Sequence, residues 1–320
     1  MRGAGDALQA LGRFEPIPAF PADGDELLSA IDRWVRSPPM AALVSEFGGV
    51  LPRSASLLDL LNTLEEFSSR WDYRRGAERS FARRVRLSRA KEELISEVAI
   101  ALGLGCATAP AYGHFDHIVI LGGLAPACFA RCQGAADFIR RSKARPQTIT
   151  ALGALRPLGD SEEASVGDLL KLDPANEFAA WDAGLRLAFG LDRALEERRH
   201  AGRVRSYLDP GGVPIRVIAA PTKRPAAMRA NTADTMDWFA KRVAQLRGGE
   251  RMLLVTTSLY VPYQHVEGLR MLGLPHQTEV EMYGVHPNDM DQRFAPDIQP
   301  YHYLQEIRST IRALGSLVRS

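Results

Sequence analysis

Through the first third of the chain, apolar positions recur at helical spacing. DGDELLSAIDRWVR opens with acidic residues suited to a helix N-terminus and then repeats apolar residues at Leu27, Leu28, Ile31, Trp34 and Val35. SASLLDLLNTLEEFSSRW carries the same pattern. A longer helix is expected from about Ala77 to Leu102, with Val85, Leu87, Leu94, Ile95, Val98 and Leu102 on one side and arginines elsewhere. Gly103 and Gly105 end it, and ATAPAYGHF reads as a linker.

The pattern changes at Asp116. HIVILGG is a short apolar, β-branched run closed by two glycines, the signature of a buried parallel strand and a tight turn. APACFARCQGAADFIRR follows as a helix, and QTITALGALRP as a second strand ending in Gly153. NEFAAWDAGLRLAFG is a helix with Asn176 as its N-cap. RVRSYLDPGGVPIRVIAAP holds two strand-like runs around Asp-Pro-Gly-Gly, either a hairpin or a loop feeding a strand. Then come a helix capped near Asn231 or Thr232, the strand RMLLVTTS, the helix YVPYQHVEGLRMLG, the strand TEVEMYGV and a closing helix YLQEIRSTIRALGSLV. Alternating strands and helices predict an α/β, Rossmann-like, doubly wound and mostly parallel sheet over residues 112–320, preceded by a helical domain over residues 1–111.

Composition fits that division. The 320 residues, 46% hydrophobic, suffice for a main core and a smaller one. The net charge of +2 supplies no global attraction to nucleic acid. A local basic run, Arg70, Arg74, Arg75, Arg79, Arg83, Arg84, Arg86 and Arg89, has no aromatic residues interleaved as a stacking platform. The solvated face of a helix is therefore preferred over a nucleic-acid surface. A basic helix docking an acidic partner protein is a further alternative. The N-terminal MRGAGDALQALGRFEPIP lacks the apolar run and cleavage site of a signal peptide, and no stretch is long and apolar enough to span a bilayer. A cytoplasmic protein without membrane association is expected. Three cysteines, Cys106, Cys128 and Cys132, are too few and odd in number for a secreted disulfide framework. Cys128 and Cys132 read as buried structural residues rather than as a thiolate nucleophile or half of a metal site.

In a doubly wound sheet, ligands bind beyond the carboxyl ends of the strands. Gly122 and Gly123 leave the first strand; without side chains they let backbone N–H groups meet an anion at the next helix N-terminus, or they form a plain tight turn. Arg131 lies two turns into that helix and can reach back. Arg156, just past the second strand, suits a bidentate phosphate or carboxylate contact, with a surface salt bridge to Glu162 or Glu163 as the alternative. Glu177 begins the next helix, either facing a ligand or favouring the helix dipole. Arg229, Asn231 and Thr232 follow the third parallel strand, and Ser258 and Tyr260 follow the fourth. No G-x-S-x-G elbow surrounds Ser258, and His265 reads as an ordinary helix histidine. His286, Asp289, Asp291, Asp297 and His302 in the tail match no familiar metal-binding spacing.

Asp116-HIVILGG with Arg131, the Asn176-Glu177 helix start, Ala230-Asn231-Thr232 and VTTSLY with Arg270 together resemble the YdcF-like domain family, which includes the SanA and ElyC envelope proteins. The resemblance spans about residues 112 to 285. It departs where the family's V-T-S-x-x-H-x-x-R becomes a stretch with Tyr260, Tyr263 and His265 that displaces the histidine. It implies a Rossmann-like sheet and a nucleotide-like ligand, with S-adenosylmethionine among the candidates, and no particular reaction.

The expected function is binding of an anionic small molecule, a nucleotide, phosphorylated sugar or adenosyl compound, at the rim of the sheet. Arg131, Arg156 and Arg229 would hold charge. Gly122 and Gly123 would offer N–H groups, and Asn231, Thr232, Ser258 and Tyr260 would orient the ligand. Glu177 would act as acid–base in a hydrolase or transferase. The alternative is a non-catalytic sensor using the same pocket.

Overall fold

The computed structural model describes residues 14–21, 24–73, 85–106, 110, 113–170, 176–200, 202–222 and 230–320. Helices α1 (Gly24–Val35), α2 (Pro38–Glu46), α3 (Leu57–Phe67) and α4 (Arg89–Ala101) come first. Each of the last three starts at a serine cap: Ser37, Ser56 and Ser88 accept hydrogen bonds from the N–H groups of Met40, Asp59 and Lys91. The cap at Ser88 also corrects the expected start of the fourth helix. Residues 85–88 are not helical, and the segment 77–84 lies outside the described residues. Of the basic run, Arg74, Arg75, Arg79, Arg83 and Arg84 lie there too.

The α/β part follows: β1 (His117–Ile120), α5 (Ala125–Ser142), β2 (Thr148–Gly153), α6 (Asp160–Leu170), α7 (Glu177–Phe189), β3 (Glu196–Arg198), β4 (Arg203–Leu208), β5 (Pro214–Ala219), α8 (Thr232–Trp238), β6 (Arg251–Thr257), α9 (Val261–Gly268), α10 (Leu274–His276), β7 (Glu279–Val285) and α11 (Pro300–Val318). Seven strands form one sheet in the order β3-β4-β5-β2-β1-β6-β7. Neighbours from β5 to β7 are parallel, whereas the β3–β4 and β4–β5 pairs are antiparallel. The fold is therefore the expected α/β class, with a seven-stranded, mostly parallel sheet and a helical N-terminal region. Asp-Pro-Gly-Gly makes a hairpin: Asp209 accepts the Val213 N–H at 2.7 Å, and Gly212 takes a φ of +83°. Among the elements that escaped the sequence reading are α2, β3 and α6. β3 is charged and exposed, so it has no apolar signature; pairing with β4 alone makes it a strand. α6 lies where the sequence suggested only a connection.

Contacts divide the chain into two units. One comprises Met1–Cys106, Leu259–Val266 and Asp297–Ser320; the other comprises Ala107–Ser258 and Glu267–Pro296. The closing helix α11 thus groups with the helical unit and not, as expected, with the sheet. In the helical unit α11 packs on α3 and α4. Arg308 on α11 donates to Glu65 O at 2.9 Å and to Ser68 Oγ at 3.1 Å. Trp71 is fully buried, edge-on against Phe47 and Phe67, and Trp34 Nε1 donates to Leu102 O at 3.2 Å.

In the sheet unit, α5 and α7 cover one face. Ile118, Ile120, Ile149, Ala151, Ile215, Val217, Leu253 and Val255 meet Cys128, Phe129, Cys132, Phe178, Trp181 and Leu185. The period of two along each strand sends the alternate residues to the other face, toward α8. Helix-to-sheet approach depends on glycine: a Cβ at Gly153 would stand 2.7 Å from Trp181 Cδ1 and 3.3 Å from Ile218 O. Trp181 is fully buried and has no room to retreat. Gly153→Ala is therefore expected to destabilise by about 1–3 kcal/mol. Urea unfolding should show a lower midpoint with unchanged slope.

Candidate functional site

The strand order fixes where a site belongs. From β1 the chain moves outward through β2 to β5, then returns to place β6 on the other side of β1. The switch point lies between β1 and β6, and a crevice is expected above their carboxyl ends. Leu121, Gly122 and Gly123 leave β1 there, and Thr257 and Ser258 leave β6.

Arg131, on α5, is fully buried at this point. Its Nη1 donates to Leu121 O at 2.6 Å and to Gly122 O, and its Nε donates to Thr257 Oγ1 at 3.2 Å. These carbonyls lie just past β1, so the guanidinium satisfies them and ties the two strand ends together. The two glycines make room for side chains. A Cβ at Gly123 would lie 3.1 Å from Arg131 Nη1. One at Gly122 would lie 2.9 Å from Leu152 O and 3.5 Å from Glu177 Oε1.

Arg156 lies beyond β2 and is nearly as buried. It forks onto Glu162, with Nη1–Oε2 at 2.5 Å and Nη2–Oε1 at 2.7 Å, and its Nε stands 2.9 Å from Glu177 Oε2. The backbone adds to this clasp, since the Glu177 N–H donates to Arg156 O at 3.0 Å. Asn176 caps α7 by accepting the Ala179 N–H at 3.0 Å, which brings Glu177 into its first turn. The alternative weighed for Arg156, a surface salt bridge to Glu162 or Glu163, takes the form of a buried pair with Glu162, with side-chain exposures of 11% and 6%.

Glu162 is the residue whose role the sequence reading missed. Its Oε1 also accepts the Ala125 N–H, the first of α5, at 2.8 Å, and its Oε2 accepts the Gly159 N–H at 3.1 Å. The carboxylate thus receives a complete set of donors from a guanidinium fork, a helix N-terminus and a turn. This is the chemistry expected for a bound anion, supplied here by the chain itself. The signal available in sequence was an acidic helix start at Asp160-Ser161-Glu162-Glu163. Burial pushes the Glu162 carboxyl up in pKa, but the Arg156 and backbone hydrogen bonds outweigh it and leave it below its ordinary value.

The other expected site residues fall as follows. Asn231 and Asp234 form a reciprocal capping box at the start of α8, with Asn231 exposed and Thr232 the first helical residue. Arg229 lies outside the described residues. Ser258 is fully buried, and its hydroxyl has no hydrogen-bond partner among the described residues. Tyr260 belongs to the helical unit. The structure therefore joins Gly122, Gly123, Arg131, Arg156 and Glu177 in one cluster with Glu162. Burial raises the Cys128 and Cys132 thiols well above their ordinary pKa, which leaves both protonated at neutral pH. In the tail, His286 and His302 accept backbone N–H groups, and Asp291 pairs with Arg293. Among the described residues no three or more His, Cys, Asp and Glu side chains gather as metal ligands would. No helix among them is long and apolar enough to cross a membrane.

Residues 19–103 match the family model of the Rv3785 N-terminal domain. Over its length the chain is similar to the uncharacterized protein Rv3785 of Mycobacterium tuberculosis strain H37Rv and to the uncharacterized protein Mb3814 of Mycobacterium bovis. Identity with each is 30% over 339 aligned positions, covering 95% of this chain and 93% of the relative. No solved structure matches. These relationships overturn the resemblance to the YdcF-like family. Its motifs were short strand-end sequences of the kind any parallel sheet with glycine turns repeats. The S-adenosylmethionine expectation falls with it.

Removing Arg156 would leave two buried carboxylates facing each other. Arg156→Met is expected to cost about 3–5 kcal/mol, read from chemical denaturation at pH 7. The lowered pKa of Glu162 gives stability that is present above its unfolded value, near 4.5, and lost as pH falls through the lower folded value. Glu162→Gln should be less stable than the parent at pH 7. The difference should shrink across the acid range below that value, and a constant difference would contradict the assignment.

Proposed function

This chain belongs to the Rv3785 family, and from that premise we propose that it binds an anionic small molecule, a nucleotide or a phosphorylated sugar, at the carboxyl rim of the sheet beside the β1–β6 switch point. One observation carries the reading: the Arg156 fork, the Ala125 N–H and the Gly159 N–H converge on a single carboxylate, that of Glu162. A ligand's phosphate or carboxylate would take that carboxylate's place, and Arg131 would keep the two strand ends closed beneath it. Ser258, buried and without a hydrogen-bond partner among the described residues, supports a polar ligand group at the end of β6.

Glu177 is engaged by Arg156, with Nε–Oε2 at 2.9 Å, which favours a holding role over proton transfer. Binding is accordingly the primary role proposed, and hydrolysis or group transfer would require Glu177 to leave Arg156. Phosphorylated ligands are expected to raise the melting temperature of the full chain, by about 2.7 kcal/mol of stabilisation at a hundredfold excess over Kd. Glu162→Ala, with the competing carboxylate gone, should bind them more tightly. Fluorimetry with nucleotides and sugar phosphates checks this, and a panel that shifts neither protein would sink the proposal.

A further inference from the structure

A second arginine environment lies elsewhere on the sheet and has the opposite character. Arg216 is in the middle of β5, between Ile215 and Val217, which face α7. Alternation sends Arg216 to the other face. There it is half-buried, and no hydrogen bond or ion pair reaches its guanidinium among the described residues. Burial lowers its pKa first and the nearby Arg198 lowers it further, with no acidic group acting in the other direction. Arg198 is itself neutralised by Glu196, with Nε–Oε1 at 2.6 Å and Nη2–Oε2 at 2.9 Å. A desolvated cation without a counter-charge is costly, because burial removes hydration that nothing replaces.

The register places hydroxyl groups on both sides of Arg216. Thr150 on β2 and Ser206 on β4 are its direct strand partners, so all three side chains stand on one face in adjacent strands, about 4.8 Å apart from strand to strand. Thr150 is fully buried, and its Oγ1 has no hydrogen-bond partner among the described residues. An unpaired guanidinium and an unpaired buried hydroxyl thus lie side by side, each needing an acceptor or donor that one oxyanion would supply. The face is open toward the sheet edge, where Val204 and Ser206 are half-buried and Glu196, Arg198 and Leu208 are exposed. At the other end α8 closes it, with Trp238 packed over Gly202.

We propose that Arg216, Thr150 and Ser206 form a second oxyanion site, separate from the rim cluster, that takes the phosphate or carboxylate group of a small molecule on the open face of β4 and β5. The guanidinium would supply a bidentate contact and the two hydroxyls would flank it.

Titration calorimetry of the full chain with inorganic phosphate and, separately, acetate tests this at constant ionic strength set with potassium chloride. One of the two anions should bind saturably to the parent, and which one does identifies the group. Arg216→Met should weaken that binding at least tenfold, and Thr150→Val, which keeps the side-chain shape, several-fold. Neither residue belongs to the rim cluster, so weakened binding in these two variants assigns the anion to this site and not to the rim. Without added anion, Arg216→Met should melt at or above the parent temperature, since an uncompensated cation has been removed. If Arg216→Met fails to fold, Thr150→Val decides the question. Binding unchanged in these variants, or no binding of either anion by the parent, would overturn the proposal.

Discussion

Two arginines inside the carboxyl end of the sheet set the terms for everything near them. A buried guanidinium is tolerable only where its donors are matched and its charge is balanced. Arg131 directs its Nη1 to the carbonyls of Leu121 and Gly122 and its Nε to the hydroxyl of Thr257. Arg156 meets both conditions with Glu162 and Glu177. Because these partners come from β1, β6, α6 and α7, the pairing fixes the turns at the ends of two central strands and the starts of two helices. The double glycine after β1 follows from the same constraint, since any side chain there would strike a backbone carbonyl or the Arg131 guanidinium.

In the proposed reading a ligand site and a stabilising network share one place. Glu162 holds the donors that the proposed anion would use, so the chain itself balances the Arg156 charge. Under that proposal a phosphate would exchange one anion for another, leaving Arg131 and the strand ends in place. At the far edge, the antiparallel strands build a different network. Arg205 bridges Asp182 and Glu197, and Tyr207 donates to Asp182 at 2.6 Å. Burial first, then that hydrogen bond and the Asp182 charge, push the Tyr207 hydroxyl up to about 12. This network faces α7 and is closed. Arg216, on the opposite face of the same strands, has no such partner among the described residues, and that contrast marks it out.

The main lines of the fold were legible because they rest on local patterns. Apolar β-branched runs ending in glycine marked β1, β2 and β6, and period-3.6 apolar repeats marked the helices between them. Asp-Pro-Gly-Gly marked the hairpin, and Asn176 and Asn231 marked helix starts. β3 was not legible, because Glu196–Arg198 becomes a strand only by pairing with β4. Nor was the grouping of α11 with the N-terminal helices, because an amphipathic face does not say which core it completes.

For the candidate site, the sequence by itself determined which residues leave the carboxyl ends of the parallel strands, since strand polarity places those loops at one rim. It thereby pointed to Gly122, Gly123, Arg131, Arg156 and Glu177, which the fold gathers into one cluster. Only the tertiary structure decided what they touch. That Glu162 fills the Arg156 fork, that Arg131 turns back onto β1 and that Arg216 stands beside Thr150 are set by how the strands and helices are brought together. Charges are conserved along a chain whatever its shape, but their pairing depends on distances across it, and those exist only once it has folded.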